Sequence, residues 1–304
     1  FLSVAGITVG VMALIVVMAV MTGFEADLVV RILGGQSHVV LKHSNGALSG
    51  YQQLANEAQK IEGVEAASPF IDVQGMLRSR FGILPAMIKG IDPATAGRVI
   101  ETLEHVALPD TSNTTELKDK AIEIPPIVLA KELARNLGVV EDDIISLISP
   151  GKTHSSIVQI PVMKQFRVSG FFQSGMYDFD RSFAYIHLKD AQKMLGMGES
   201  VTGIEVRVKD IYEAGRIGAN IGTIAGPDFL AQDWMQLNNK LFEAMKTERL
   251  AMFIILTFTI LVAAFSIAST LIMMVIAKTK DIAILKAMGA TNKSIKKIFI
   301  INGM

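Results

Sequence analysis

Cysteine is absent from the 304-residue sequence. This excludes disulfide bonds, thiol catalysis and zinc sites with cysteine ligands. A Gly-x-Ser-x-Gly elbow is also absent, and no serine, histidine and aspartate form a recognisable triad. Histidine is scarce, and its five positions lack the HExxH spacing or any other ligand spacing; they are His38, His43, His105, His154 and His187. We therefore expect no metal site and no enzymatic activity in this chain.

Charge is missing from two long stretches, residues 1–24 and residues 250–277. Half of all residues are apolar, and the mean hydropathy is +0.42, which is high for a soluble domain. Because roughly 20 apolar residues in a helix cross the hydrocarbon core of a bilayer, both stretches are predicted to span a membrane. In the first, Gly6 and Gly10 have the spacing that lets another helix approach closely, or they only ease general packing.

Net charge is zero, but its distribution is uneven. Residues 278–304 contain six lysines and a single acid, Asp281, so this segment carries five positive charges. The region between the two apolar stretches carries the balancing five negative charges. Lysines beside a membrane span indicate its cytoplasmic end, which places the middle region outside the cytoplasm. Since the basic residues do not lie on a folded domain, no nucleic-acid partner is predicted.

The fold class predicted from these patterns is a membrane helical bundle with an inserted extracytoplasmic α+β domain. We expect five parts, and we expect the chain to be a fragment of a longer protein. They are a first membrane helix (1–24), a periplasmic α+β domain with helical stalks at both ends (25–249), a second membrane helix (250–277), a cytoplasmic segment (278–293) and the truncated start of a third membrane helix (294–304).

Hydrophobic periodicity and turn residues predict the elements of the middle domain. Strands are predicted over residues 38–42, 70–80, 84–91, 144–148, 166–172, 182–187 and 203–208. Helices are predicted over 51–61, 95–106, 127–137, 188–195 and 211–221, with stalks over 24–33 and 234–249. Pro125 and Pro126 favour a helix start at 127, and Gly138 favours its end. The polar stretch 109–120 is predicted to be a loop.

The segment Gly151-Lys152-Thr153 resembles part of a phosphate-binding loop, but that motif requires a glycine where Ser146 stands. It also lies in the domain predicted to be outside the cytoplasm, so we reject this interpretation. Strands are predicted on both sides, and residues 149–161 therefore form either a protruding hairpin loop or an ordinary connection.

The lysine-rich segment after the second membrane stretch is predicted to contain a short helix. Ile282, Leu285 and Met288 recur at a spacing of three, and Asp281 suits a helix N-terminus. Gly289 suits the position after a helix, and Thr291 suits the cap of the next one. By periodicity alone, this helix either contacts a partner or anchors a loop at the membrane surface.

Three motifs resemble one known family, the lipoprotein-releasing permeases LolC/LolE. They are SVAGITVGVMALIVVMAVMTGFE (3–25), GMYD (175–178) and KTKDIAILKAMGAT (278–291). The core ILKAMGA of the last motif is shared by the wider MacB/FtsX-like superfamily, while the other two point more narrowly to lipoprotein release. The resemblance covers the whole chain. Family members have four spans, so here the third is cut and the fourth is absent.

The resemblance implies a permease subunit of an ABC transporter that passes lipoproteins from the bacterial inner membrane to a periplasmic chaperone. The implied partners are an ABC ATPase, a second permease subunit, the chaperone, the lipoprotein cargo and membrane lipid. ATP and Mg²⁺ would be bound by the ATPase, with no cofactor in this chain. The implied ATPase-coupling residues are Lys280, Asp281, Ile282, Leu285, Lys286, Met288 and Gly289. The implied chaperone-binding residues are Pro150, Gly151, Lys152, Thr153, His154, Ile157, Val158, Ile160, Pro161, Lys164 and Gln165.

Three other functions remain open at this point. A MacB-type exporter would also be an ABC transporter, but it would transport a different cargo. An FtsX-type mechanotransmitter would activate a periplasmic enzyme and transport nothing. A membrane-anchored sensor is disfavoured, because a sensor would continue from its second span into a signalling helix.

Overall fold

The computed structural model of the chain describes residues 2–104, 108, 124–150 and 161–303, with side chains from residue 8 to residue 298 within those ranges. The helices are α1 (Leu2–Gly35), α2 (Tyr51–Gln59), α3 (Pro93–Val99), α4 (Lys131–Leu137), α5 (Tyr177–Asp180), α6 (Leu188–Leu195), α7 (Ala214–Ala225), α8 (Trp234–Leu237), α9 (Asn239–Ala277), α10 (Thr279–Ala287) and α11 (Asn292–Gly303). The strands are β1 (Val39–His43), β2 (Val64–Arg78), β3 (Ile83–Ile91), β4 (Pro126–Ala130), β5 (Ile144–Ser149), β6 (Val162–Phe172), β7 (Phe183–His187), β8 (Gly203–Val208) and β9 (Phe229–Asp233).

The chain divides into two compact units. Phe1–Ala26 and Lys240–Met304 form one, which we call the helical unit. Asp27–Asn239 forms the other, which we call the sheet domain because it contains every strand of the described residues.

Two helices are long and apolar enough to cross a membrane, over Thr8–Gly35 and Asn239–Ala277. Most of their apolar side chains are exposed within the described chain, as a lipid-facing or partner-facing surface requires, while Ile32 near the end of the first is buried. Buried polar groups must find partners inside a hydrocarbon core. The hydroxyls of Thr257 and Thr270 meet this requirement, since each donates to the carbonyl four residues earlier at 2.9 Å.

An ion pair links the two long helices within the helical unit. Arg249 Nη2 donates to Glu25 Oε2 at 2.9 Å. Each residue is the first charge beyond its apolar stretch, so the pair joins corresponding ends of the two predicted spans. Because Arg249 is largely exposed, the pair contributes at most about 1 kcal/mol to stability.

The nine strands of the described residues form a single sheet in the order β3-β7-β4-β6-β5-β2-β8-β1-β9. Strand β2 is its junction. One edge of β2 pairs with β3 from Phe70 to Arg78, while the other pairs with β8 near its start and with β5 from Met76 to Arg78. Because β2 pairs with β3 as well as with β5, the strands β2, β3, β7, β4, β6 and β5 close into a ring. Strands β8, β1 and β9 extend from β2 as an open wing.

Helices cover this sheet with apolar residues at helical spacing. Helices α2 and α3 pack on β2, α6 packs on β3, and α7 packs on β1 and β9. In α6 the buried residues Leu188, Ala191 and Met194 recur every third position, and Gly196 ends the helix with a left-handed φ of 61°. The largest fully buried side chains include Phe166, a ring-strand residue. The sheet domain therefore has a core of its own.

The structure confirms the strand pair predicted around Phe81 and Gly82, and it confirms the bounds predicted for β8 and α6. The predicted helix over residues 127–137 is wrong in its first half. Residues up to Ala130 form the buried strand β4, and only the remainder forms α4. A short apolar run is compatible with both structures, and pairing with β6 and β7 decides for the strand.

Other boundaries also differ from the predictions. The helix predicted over 95–106 ends at Val99, and a 3₁₀ turn, Glu101–Leu103, follows it. The helix predicted over 211–221 begins as a 3₁₀ turn and continues as α7 to Ala225, while β9 was not predicted. The predicted loop 109–120 lies outside the described residues.

The two stalks differ from each other. The first is continuous with the membrane stretch, because α1 runs unbroken to Gly35. The second stalk was predicted as one helix over 234–249, but it breaks at Asn238 between α8 and α9. The Asn238 side chain donates to Gln36 Oε1 at 3.3 Å and to the Trp234 carbonyl at 2.8 Å, which holds the break in place.

Replacing Gly203 with alanine is expected to destabilise the sheet domain. An added methyl group would collide with the Leu41 carbonyl and lie 3.0 Å from the Phe70 ring. Overpacking of this kind costs about 1–3 kcal/mol. The control is Gly170→Ala in β6, where nothing lies within 4 Å of the added methyl. Denaturant unfolding of both variants checks the expectation, and equal stabilities would contradict it.

Candidate functional site

Helix α10 contains five of the seven predicted coupling residues, and the other two, Met288 and Gly289, follow directly at its C-terminal end, where the sequence predicts the helix to stop. Gly289 has a left-handed φ of 91°. Its N–H donates to the Lys286 carbonyl at 3.0 Å, and the Ala290 N–H donates to the Leu285 carbonyl at 3.0 Å. This pair of bonds is a Schellman motif, which glycine favours. The Ser294 N–H donates to Thr291 Oγ1 at 3.3 Å, so Thr291 caps α11.

The apolar side chains of α10 are uncovered within the described chain. Met288 is 79% exposed, and Ile284 and Leu285 are also exposed. Leu285 and Met288 follow Asp281 at spacings of four and three, so the acid begins the same helical row. Such a row at the end of a short helix is a surface that a partner groove or a membrane interface would bury.

The first turn of α10 carries a local ion pair. Lys278 Nζ donates to Asp281 Oδ2 at 2.8 Å. This hydrogen bond, followed by the charge of the same carboxylate, raises the pKa of Lys278 above its ordinary value. Asp281 also lies where the helix dipole favours a negative charge. The helix start is thus fixed by its own side chains, while Lys280 remains exposed.

The strands on both sides of the predicted chaperone loop form an antiparallel hairpin. The last residue pair of β5 and β6 is Ser149 with Val162. Pro150 follows Ser149, Pro161 precedes Val162, and both prolines are exposed. The predicted loop residues Gly151, Lys152, Thr153, His154, Ile157, Val158 and Ile160 lie outside the described residues. The flanking strands agree with the prediction of a hairpin connection.

Lys164 and Gln165 point to opposite faces of β6. Lys164 Nζ donates to Asp190 of α6 at 2.9 Å and lies 5.4 Å from the centre of the Phe166 ring. Gln165 is exposed. Of the two, only Gln165 lies on the open face of the strand.

That open face also carries apolar side chains. Met163 is 63% exposed and pairs in register with Ile148, which pairs in turn with Met76, also exposed. We call Met76, Ile148, Met163 and Gln165 the hairpin face. This row of apolar side chains across three strands, with both methionines exposed and Ile148 half-exposed, is a candidate interaction surface.

Among the described residues, nothing lies within 4 Å of a methyl group added at Gly10. Gly6 lies four residues earlier in α1, and its surroundings are outside the described side chains. The predicted close approach of another helix at this pair therefore stays a prediction.

The GMYD motif forms a turn around a buried acid. The Asp180 carboxylate accepts hydrogen bonds from the Ser174 N–H and hydroxyl, each at 2.7 Å, and from the Gly175 N–H at 3.2 Å. Gly175 has a φ of 81°, and its carbonyl accepts from Arg31 Nη1 of α1 at 3.3 Å. The backbone of Gly175 therefore links this turn both to the buried carboxylate of Asp180 and to the end of α1.

A cleft that sequence reasoning missed lies on the sheet domain. Its volume is about 410 Å³. Its charged lining comes from four strand residues, Lys42, Asp72, Lys89 and Glu205, and one of its aromatic rings comes from Phe70. Further lining comes from Gln36, Ser37, Val40, Met87, Phe179, Phe183, Leu237 and Asn238. Charged residues inside predicted buried strands were the available sequence signal, but β1, β2, β3 and β8 meet only in the fold.

Two ion pairs cross this cleft. Lys89 Nζ donates to Glu205 Oε1 at 2.7 Å, and the two side chains are only 13% and 5% exposed. Lys42 Nζ donates to Asp72 Oδ2 at 2.7 Å in the more open part. Burial lowers the pKa of Lys89, but the carboxylates of Glu205 and Asp72 outweigh it and raise that pKa above its ordinary value. Lys89 is therefore charged at neutral pH.

Among the described residues, no group of three or more histidine or acidic side chains is positioned to hold a metal ion. His38 is buried, and its Nδ1 accepts from the Val208 N–H at 3.2 Å. Burial lowers the pKa of His38, so this ring is neutral at neutral pH. Its role is packing beside β8.

Two family models match this chain in succession. The MacB-like periplasmic core domain matches residues 1–223, and the FtsX-like permease C-terminal domain matches residues 253–304. The lipoprotein-releasing system transmembrane protein LolC of Neisseria meningitidis serogroup B is 31% identical over 302 residues, covering 99% of this chain and 71% of the relative.

The chain belongs to the LolC/LolE family. A second LolC, from Xylella fastidiosa strain Temecula1, is 30% identical over 99% of this chain and 71% of the relative. LolE of Haemophilus influenzae is 27% identical, over 99% of this chain and 72% of the relative. The LolC/LolE resemblance and the MacB/FtsX-like fold class predicted from the sequence are confirmed.

Two solved structures align with parts of this chain. The periplasmic region of MacB from Actinobacillus actinomycetemcomitans has a TM-score of 0.41 and 14% identity, covering 70% of this chain and 95% of that chain. The extracellular domain of the transporter YknZ from Gram-positive bacteria has a TM-score of 0.42 and 10% identity, covering 64% of this chain and 99% of that chain.

Replacing only one partner of the buried Lys89–Glu205 ion pair is expected to lower the free energy of unfolding far more than replacing both partners. Lys89→Met leaves Glu205 charged and buried without its cation, which should lower the free energy of unfolding by about 3–5 kcal/mol. The double variant Lys89→Met/Glu205→Gln removes both charges and should recover most of that loss. Denaturant unfolding, followed by the fluorescence of the single tryptophan, Trp234, measures both. A double variant as unstable as the single variant would contradict this account.

Proposed function

We propose that this chain is the permease subunit of an ABC transporter that extracts lipoproteins from the bacterial inner membrane and passes them to a periplasmic chaperone. The observation that carries the proposal is the match to relatives named as lipoprotein-releasing transmembrane proteins over 99% of the chain. ATP hydrolysis, with its ATP and Mg²⁺, belongs to a separate ATPase subunit. A second permease subunit, identical or related, completes the machine.

The physical task explains why such a machine needs both shielding and work. A lipid chain is held in the membrane by about 0.8 kcal/mol for each buried CH₂ group. Three acyl chains with roughly 15 such groups each would cost tens of kcal/mol to expose to water. The exposed apolar faces of α1 and α9 are suited to enclosing such chains together with a second subunit. A cavity between two subunits would let the chains leave the bilayer sideways without meeting water.

The coupling role is proposed for α10, with Lys280, Asp281, Ile282, Leu285, Lys286, Met288 and Gly289 as its residues. The uncovered row Leu285 and Met288 fits a groove on an ATPase, as amphipathic helices fit grooves elsewhere. Closure of the ATPase dimer would move α10. Since α10 follows α9 after one residue, this movement would tilt α9 and change the affinity for lipid between two states.

The chaperone contact is proposed for the connection 150–161 together with the hairpin face. The exposed residues Pro150, Pro161 and Gln165 border this surface. Met163, Ile148 and Met76 supply an apolar patch that a lipid-binding chaperone would cover. Lys164 is held by Asp190 inside the domain, so its contribution would be to fix β6.

Met288→Asp should separate the permease from its ATPase. Placing a charge on a side chain that is 79% exposed costs no packing within the chain, but it should oppose burial in a groove. We expect at least a tenfold loss of co-purified ATPase and of ATP-dependent lipoprotein release, with normal membrane insertion. The measurement is affinity purification from membranes. Full ATPase recovery with Met288→Asp would argue against α10 as the coupling helix.

Met163→Asp is the reciprocal experiment. This side chain is 63% exposed on the hairpin face, so the variant should fold and retain the ATPase while losing at least tenfold in chaperone binding. Deletion of residues 151–159 should have the same effect. Each methionine variant is the control for the other. Loss of both partners in either variant would indicate misfolding, and retained chaperone binding in both hairpin variants would move the chaperone site elsewhere.

The function as a whole is tested by reconstituting the full-length protein with its ATPase in liposomes that contain a triacylated lipoprotein. ATP-dependent transfer of that lipoprotein to the chaperone is the expected result. ATP hydrolysis without any lipoprotein release would instead favour the MacB-type exporter or the FtsX-type mechanotransmitter.

A further inference from the structure

The cleft on the sheet domain has the size and lining of a ligand site. Its volume of about 410 Å³ falls in the range of small-molecule pockets. Apolar side chains dominate the lining, and a few charged groups converge within it. The chaperone and ATPase contacts proposed above use none of the residues that line this cleft, so the cleft has no assigned role.

The cleft contains ammonium groups with unused hydrogen-bond donors. Each lysine ammonium has three N–H donors. Within the described residues, Lys89 uses one on Glu205 and Lys42 uses one on Asp72. Two donors of each lysine are left for a ligand. Lys42 is the more open of the two, with 39% of its side chain exposed.

The two ammonium groups converge on one aromatic ring. Lys89 Nζ lies 5.0 Å and Lys42 Nζ lies 5.5 Å from the centre of the Phe70 ring. Gly203 has no side chain to displace this ring. Both lysines therefore present donors beside the same ring in one cleft, an arrangement that suits a group with several oxygens. A phosphate has that geometry and is a common partner for lysine.

Another part of the lining is apolar. It consists of Phe179 and Phe183, which stack with ring centres 3.7 Å apart, and of Leu237 and Met87. A free phosphate would leave it unused. A phosphate attached to an apolar body would cover both halves of the cleft.

The chain sequence ties the rim of the cleft to the membrane helices. Gln36 follows α1 by one residue, and Asn238 immediately precedes α9. These two side chains are hydrogen-bonded to each other at 3.3 Å. The molecule of matching chemistry that is most abundant near membrane helices is a phospholipid.

We propose that this cleft binds the headgroup of a phospholipid, with its phosphate at Lys42 and Lys89 and its glycerol and first acyl carbons against Phe179, Phe183 and Leu237. Occupancy of the cleft, whose rim includes residues next to the ends of α1 and α9, would then depend on the lipid composition around the protein. This inference does not depend on the proposed release of lipoproteins.

Titration of the full chain in non-ionic detergent, with bound molecules counted by native mass spectrometry, tests the proposal. The probe is dihexanoylphosphatidylglycerol. Inorganic phosphate tests the charged half alone, and dihexanoylglycerol tests the apolar half alone. We expect one saturable site for the phospholipid and at least tenfold weaker binding of either part.

Two charge variants and one control complete the experiment. Lys42→Met and the double variant Lys89→Met/Glu205→Gln should each weaken phospholipid binding at least tenfold, and the double variant avoids leaving a buried charge unpaired. Lys60→Met, an exposed lysine at the end of α2, should have no effect. Unfolding curves confirm that each variant is folded.

Several results would overturn the inference. Phosphate binding as tightly as the phospholipid would make the cleft a simple anion site. Dihexanoylglycerol binding equally well would make it an apolar groove. Phospholipid binding that is unchanged in both folded charge variants, or equally reduced by Lys60→Met, would place the lipid elsewhere.

Discussion

Backbone pairing along β2 is the constraint on which the sheet domain depends. A buried strand must satisfy its N–H and C=O groups along both edges. Strand β2 does this with three neighbours, since β3 takes one edge while β8 and β5 share the other. The switch from β8 to β5 turns a flat sheet into a closed ring with an open wing. Phe70 lies at this switch, paired with both Ile91 and Gly203.

This branching also positions the charges of the cleft. Asp72 and Lys89 are register partners on β2 and β3, while Glu205 reaches the same place from β8. Burying an ion pair costs desolvation that its attraction only partly offsets, so such pairs are poor sources of stability. Their position in the wall of a cleft is consistent with the binding role proposed above. The neighbouring GMYD turn, built on Asp180, then connects this region to α1 through Arg31.

The helical unit follows a different rule. Its apolar side chains are not covered by the rest of the described chain, because lipid or partner subunits are their expected surroundings. The first charges beyond the two membrane stretches on that side are Glu25 and Arg249, and they pair with each other. At the other end, α10 presents Leu285 and Met288 without a cover. Because a permease subunit works as part of an assembly, its exposed apolar faces are where lipid or other subunits are expected to bind.

The sequence by itself determined the membrane stretches, the family and the local ends of helices. These depend on composition and neighbouring residues: absence of charge over 28 residues predicts a span, and Gly289 after Met288 predicts a Schellman end. Most isolated strands were also predictable from their alternation. The tertiary structure alone decided that residues 126–130 are a strand, because only pairing with β6 and β7 distinguishes it from a helix. It alone brought Lys42, Asp72, Lys89 and Glu205 together, since strand partners distant in sequence are fixed by sheet closure and not by any local pattern.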